Sequence, residues 1–217
     1  MINDFDAILF DLDGTLIDSE PIGQRALDIF LARYGITPPP GFIHRLVGRR
    51  AHDNATLMLS EFALPLSVEE IILEQRHLTN TMVEQEVATL PGAESLLRVL
   101  RERGVRMAVA TSSQRPYLAM VLAKFGWTDV FDATVTGEEV THGKPAPDIF
   151  LRAAELLGVL PTRCLVVEDA PHGVAAGLSA GATVVAIPNT VTASLEFLPG
   201  AHTFASLAQL RDWLELD

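Results

Sequence analysis

The chain has 217 residues, 48% hydrophobic and 20% charged, which suits a globular α/β domain with room for a small insert. Its 28 acidic side chains outnumber 16 Lys and Arg, for a formal charge of −12, and the basic residues form only short patches such as Arg49-Arg50 and Arg101 to Arg106. Nucleic-acid polymers and anionic membranes are therefore poor partners, since both need clustered cations.

The N-terminus has no cationic segment ahead of an apolar signal core, and no apolar run approaches the ~18 residues of a membrane span. The chain reads as cytoplasmic, and a monomer is expected. A first strand is predicted over 5–10 (FDAILF), and it runs directly into Asp11-Leu12-Asp13-Gly14-Thr15. Two carboxylates so close repel each other and require solvent or a positive partner.

From 19 to about 85 no strand is evident. The spacing predicts helices near 20–34, 51–62 and 67–85, broken by Pro38-Pro39-Pro40, with Ile22, Ala26, Ile29 and Phe30 roughly on one face. Beyond this block, strand-like runs at 105–110, 131–135, 164–167 and 183–187 alternate with helical stretches at 93–103, 115–125, 147–157 and 171–180. That rhythm predicts βαβ crossovers and a buried parallel sheet. Gly104, Gly126 and Gly158 fall just past three of the helices, where positive φ is needed. Pro91-Gly92 and Pro145 to Pro147 mark helix starts. The single cysteine, Cys164, lies in an apolar run and reads as core filler.

Three more polar segments follow predicted strands: Thr111-Ser112-Ser113, Lys144 in HGKPAPDIF, and Glu168-Asp169. Ligands of open parallel sheets bind beyond the carboxyl ends of the strands, where strand order reverses. With the first strand central and the second and fourth beside it, all four segments meet in one crevice. Asp11, Asp13, Glu168 and Asp169 then share one place with Lys144 as the nearby cation. Such a cluster takes up protons or binds a hard divalent cation, and its oxygen ligands suit Mg²⁺. Thr111 and Lys144 suit phosphate oxygens. Singly, each segment also has an ordinary role open to it: a turn at Asp13-Gly14, helix caps at Thr111 to Ser113 and Glu168-Asp169, a solvated loop lysine at 144.

In this order the four segments resemble the haloacid dehalogenase-like phosphohydrolases, in the branch that carries a small helical cap and includes β-phosphoglucomutases and pseudouridine 5′-phosphatases. The resemblance covers essentially the whole chain. It implies a Rossmann-like three-layer α/β core over 1–17 and 86–217 and an inserted α-helical cap over 18–85, with hinges near 17–20 and 84–90. It implies that Asp11 is the nucleophile and Asp13 the acid and base, with Thr15 orienting Asp13 and the Asp13 backbone carbonyl on Mg²⁺. Thr111, Ser112 and Lys144 would hold the phosphoryl group. Asp169 would bind Mg²⁺ directly, with Glu168 in contact with the ion or just behind it.

The cap is less informative. Many relatives have histidine where this chain has Gly23, and a helical glycine costs about 1 kcal/mol against alanine; drift and extra room for a bulky leaving group both account for it. The arginine and lysine with which mutases grip a second phosphate fall at Ala51 and near Leu78, which favours a phosphatase over a mutase. Arg49 and Arg50 are candidates for holding a sugar phosphate or a nucleotide base, or for a surface salt bridge. The stretches GRRAHDNATLML and ATSSQRP resemble pseudouridine 5′-phosphatases. A phospho-aspartate switch uses similar residues, but there the acid pair follows the first strand.

Overall fold

The computed structural model describes residues 2–47 and 49–216. Strands β1 (Ala7–Phe10), β2 (Arg106–Thr111), β3 (Ala133–Thr136), β4 (Cys164–Glu168), β5 (Thr183–Ala186) and β6 (His202–Thr203) form one parallel sheet in the order β3-β2-β1-β4-β5-β6. β1 is flanked by β2 and β4, the placement on which convergence of the four polar segments depends, and strand order reverses beside it.

Alternation along the central strand divides the core. Ile8 and Phe10 face one apolar layer, and Ala7 and Leu9 the other. The first layer is closed by α4 (Ala93–Glu102), α5 (Arg115–Lys124) and α8 (Leu207–Trp213), and the second by α6 (Asp148–Leu157) and α7 (Pro171–Ser179). Burying a large apolar side chain such as Phe10 or Phe150 contributes roughly 1.5–3 kcal/mol. This is a Rossmann-like α/β fold. Helix α8 and the short β6 have no counterpart in the sequence reading. The third strand begins later than predicted, because Phe131 turns inward against Phe10 and Trp127 before the ladder starts.

Between β1 and β2 lie α1 (Glu20–Arg33), α2 (Ala51–Glu61) and α3 (Val68–Glu86). Ser67 and Glu70 form a capping box at the start of α3, which satisfies amides the first turn leaves open. The three helices enclose their own apolar cluster, including Leu27, Phe30, Leu31, Phe42, Met58 and Ile71. On α1 the buried stripe is Ile22, Ala26 and Phe30 with Leu27 and Leu31; Ile29, expected on that face, is 43% exposed. The two chain crossings into this helical unit are paired with each other: Asp18 N–H donates to Ala88 O at 2.9 Å, and Leu90 N–H to Leu16 O at 2.9 Å. No helix among the described residues is long and apolar enough to cross a membrane.

Candidate active site

The ladder carries the acids into place. Asp11 follows Phe10 out of β1, and its N–H still donates to Val167 O at 3.0 Å, which sets it level with the end of β4. Glu168 ends β4 and Asp169 follows it. Carboxylate oxygens of Asp11, Glu168 and Asp169 lie within 4.8 Å of one another, and all three residues are buried.

Lys144 enters from the loop between β3 and α6. Its Nζ lies 2.5 Å from Asp11 Oδ1, 2.6 Å from Glu168 Oε1 and 3.2 Å from Ala110 O. Burial works against its charge, but Asp11 and Glu168 outweigh that and hold it above the ordinary lysine value. Burial, with like charge from Glu168, pushes both Asp11 and Asp169 well above the usual carboxyl range despite Lys144. Three buried carboxylates beside a single ammonium leave negative charge that a further cation would offset. An all-oxygen donor set of this kind fits a hard divalent ion such as Mg²⁺.

Each acid is oriented. Glu168 Oε2 accepts from the N–H groups of Asp169 and Ala170, at 3.0 and 3.1 Å. Its carboxylate fills the space left by Gly173, where an added Cβ would stand 1.7 Å from Oε1. Asp169 Oδ2 accepts from Asn189 Nδ2 at 2.7 Å. Gly14 sits above it at φ +77°, and a Cβ there would come 2.5 Å from Asp169 Oδ2, so the turn after β1 requires glycine twice over.

Asp13 stands apart from the three-acid group and has its own donors. Ser19 Oγ reaches Oδ1 at 2.8 Å, Tyr117 Oη reaches Oδ1 at 2.5 Å, and Ser113 Oγ reaches Oδ2 at 2.8 Å. Thr111 Oγ1 lies 3.5 Å from Oδ2 and accepts from Ser113 N–H at 3.0 Å. Burial, then Asp13, holds the Tyr117 phenol well above its ordinary value, so it remains a donor.

A cavity of about 300 Å³ opens over Asp11, Asp13 and Asp169 and runs beneath α1, α2 and α3. Thr111, Ser112, Glu168 and Arg49 line it with them. Two expected contacts differ. Thr15 donates to Asp169 Oδ1 at 3.4 Å, which places its hydroxyl on that acid instead of on Asp13. Arg50 leaves the cavity and donates to the carbonyls of Val140 (2.7 Å), Thr141 (2.9 Å) and Gly137 (3.2 Å) in the loop that leads to Lys144. Backbone acceptors in a turn outcompete a distant anion for its planar fork. Cys164 is buried, and burial raises its thiol to about 11, as expected of core filler.

The sequence reading did not single out Ser19, Glu20, Tyr117 or Asn189, although Asn189 follows the fifth predicted strand as the other polar segments follow theirs. Burial, then Asp13, Asp18 and Glu168, pushes Glu20, which lines the cavity, up to about 8.

The haloacid dehalogenase-like hydrolase family matches residues 5–181, most of the chain. The chain belongs to this family. Hexitol phosphatase A of Escherichia coli is 39% identical over 82% of this chain and 81% of its own length. A probable pseudouridine-5′-phosphatase of Drosophila melanogaster is 36% identical over 94% and 90%. The bifunctional riboflavin kinase/FMN phosphatase of Arabidopsis thaliana is 33% identical over 96% of this chain, which spans only 58% of that longer protein. Among solved structures, CbbY from Rhodobacter sphaeroides with xylulose-1,5-bisphosphate superposes with a TM-score of 0.86 at 27% identity, covering 95% of this chain and 96% of CbbY. This haloacid dehalogenase-like hydrolase is a phosphoric monoester hydrolase, and its relatives act on small phosphorylated metabolites.

Proposed function

We propose that the chain is a Mg²⁺-dependent phosphatase that hydrolyses a sugar phosphate or nucleoside monophosphate through an aspartyl-phosphate on Asp11. The observation that carries this reading is the pairing of two differently held aspartates on one cavity: Asp11 against Lys144, and Asp13 on neutral hydroxyl donors.

Lys144 holds Asp11 by Oδ1 and fixes the rotation of its carboxylate. A carboxylate oxygen of Asp11 attacks phosphorus, the ester P–O bond breaks, and Asp13 gives its proton to the departing alkoxide. Asp13 then takes a proton from water as that water attacks the phosphoryl group, which releases phosphate and restores Asp11. Thr111, Ser112 and Lys144 hold the phosphoryl oxygens through this exchange. Asp11, Asp169 and the Asp13 carbonyl would hold Mg²⁺, with Glu168 already engaged by Lys144 and two N–H groups. When bound, the ion supplies positive charge for the phosphoryl oxygens.

Residues 18–85 act as a cap on a core of 1–17 and 86–217, turning about the paired crossings at Asp18–Ala88 and Leu16–Leu90. A hexose-phosphate mutase is the weaker reading, although the β-phosphoglucomutase of Clostridium difficile shares the fold at a TM-score of 0.82. Leu78, near where the mutase lysine falls, packs against apolar clusters, and no lysine among the described residues lines the cap side of the cavity. The test is release of inorganic phosphate from p-nitrophenyl phosphate with Mg²⁺ and its loss in EDTA. Isomerisation of a hexose phosphate without release of phosphate would overturn the reading in favour of the mutase.

A further inference from the structure

The three clustered acids are restricted in the oxygens they can offer. Lys144 holds Asp11 by Oδ1 at 2.5 Å, which leaves Oδ2. Glu168 is engaged at both oxygens, by Lys144 at Oε1 and by two N–H groups at Oε2. Asp169 is restricted from behind, by Asn189 in the turn after β5.

Asn189 Nδ2 donates to Asp169 Oδ2 at 2.7 Å and reaches Gly14 O at 3.3 Å. The opposite oxygen of Asp169, Oδ1, has the Thr15 hydroxyl at 3.4 Å, a long and weak contact. Oδ1 is therefore the oxygen that Asp169 can give to a cation.

The sign of this contact is fixed by the turn itself. Asn189 Oδ1 accepts from the N–H groups of Val191 at 2.9 Å and Thr192 at 3.1 Å, and the Asn189 N–H donates to the hydroxyl of buried Thr192 at 3.0 Å. Rotating the amide would set its oxygen against a carboxylate and its NH₂ against two N–H groups, losing the bonds to Val191, Thr192 and Asp169 together. Asn189 thus always turns a donor toward Asp169.

The supply of carboxylate oxygens matters to a hard cation. Mg²⁺ demands an octahedral set at about 2.0–2.1 Å and keeps several waters, whereas Ca²⁺ takes about 6–8 oxygens at roughly 2.3–2.6 Å and commonly takes both from one carboxylate. Aspartates that each offer a single oxygen suit the first ion better than the second.

We infer that Asn189 is a positioning residue that confines Asp169 to binding through one oxygen and thereby favours Mg²⁺ over Ca²⁺. This rests on the Mg²⁺-dependent reading above and adds to it the residue that discriminates between the two ions.

The experiment follows melting temperature against MgCl₂ and, separately, CaCl₂ concentration, using the intact chain stripped with EDTA and then freed of chelator. The half-saturating concentration of each rise gives an apparent affinity without turnover. Asn189→Ala lets Asp169 present both oxygens and should lower the Ca²⁺-to-Mg²⁺ ratio of half-saturating concentrations about tenfold, the scale of a lost partner behind a metal ligand. Asn189→Asp keeps an acceptor for Val191 and Thr192, so it preserves the turn if alanine does not, and it also removes the donor to Asp169. It should lower the ratio at least as far. A ratio at the parent value in both variants overturns the inference, even if the two affinities fall together, because a loop that only supports the fold treats both ions alike. The Mg²⁺-dependent reading then stands. No rise in the parent's melting temperature with Mg²⁺, together with p-nitrophenyl phosphate turnover that survives EDTA, overturns the metal reading and this inference with it.

Discussion

Lys144 Nζ lies 2.6 Å from Glu168 Oε1, so the loop after β3 is tied to the end of β4 by a buried ion pair. The same ammonium reaches Asp11 at 2.5 Å, so one cation from that loop holds acids at the ends of two adjacent strands.

Removing that cation separates its two effects. Lys144→Met should lower kcat by about 10²-fold or more, the scale of one lost preorganised donor. In EDTA the variant should also lose melting temperature, more at pH 8 than at pH 6, because the stranded carboxyls escape repulsion by taking up protons at lower pH. Thermal melts at the two pH values check this. An equal shift at both would argue against a charge effect.

The raised acids link stability to pH and metal. Asp11 and Asp169 lie well above the carboxyl range, and Glu20 is raised to about 8. A folded value above the unfolded one means that the metal-free fold holds extra protons, so stability is present at low pH and is lost as pH rises through the folded values. His172 is depressed by burial and Arg49, which acts oppositely but only below the ordinary histidine value of ~6.5. Between pH 7 and 8.5 the EDTA-treated chain should therefore lose melting temperature. Added Mg²⁺ should stabilise it more at the upper end, with protons released on binding. Melting temperatures that rise with pH in EDTA would contradict the assignment.

Tyr117 should act through Asp13. Tyr117→Phe removes the 2.5 Å donor to Oδ1 and should lower kcat about tenfold with little change in KM. Ser113→Ala removes the donor to Oδ2 and should behave alike, and the double variant should lose less than the product of the two. Steady-state kinetics on p-nitrophenyl phosphate reads all three.

Arg50 should position the loop that carries Lys144. Its side chain passes over Gly143, where an added Cβ would stand 2.5 Å from Arg50 Nε. Arg50→Ala should lower kcat about tenfold and speed amide exchange across 137–143 while melting near the parent temperature. Arg50→Lys should recover little, since an ammonium cannot serve three carbonyls in a planar fork. Unchanged exchange in that loop would remove the positioning role.

Much of this was legible without coordinates. Alternating apolar runs and helical spacings located five of the six strands and all the longer helices, because burial on both faces of a parallel sheet leaves continuous apolar segments. Gly104, Gly126 and Gly158 take the positive φ expected of them. The acids of the site were legible jointly: each alone could be turn or cap chemistry, but four polar segments each directly after or in the loop following a predicted strand converge at one end of a parallel sheet. The two-residue β6 and the seven-residue α8 were not, being too short to carry a period.

Local order in the chain determined the elements, the strand-end acids and the family they belong to. Only the tertiary structure decided which groups meet them: Asn189 on Asp169, Tyr117 on Asp13, Arg50 on the backbone of a loop 87 to 91 residues away. Spacing reports what one helix or strand does with its neighbours along the chain. A hydrogen bond across such separations depends on how layers stack, and on which acceptor lies nearest once they have.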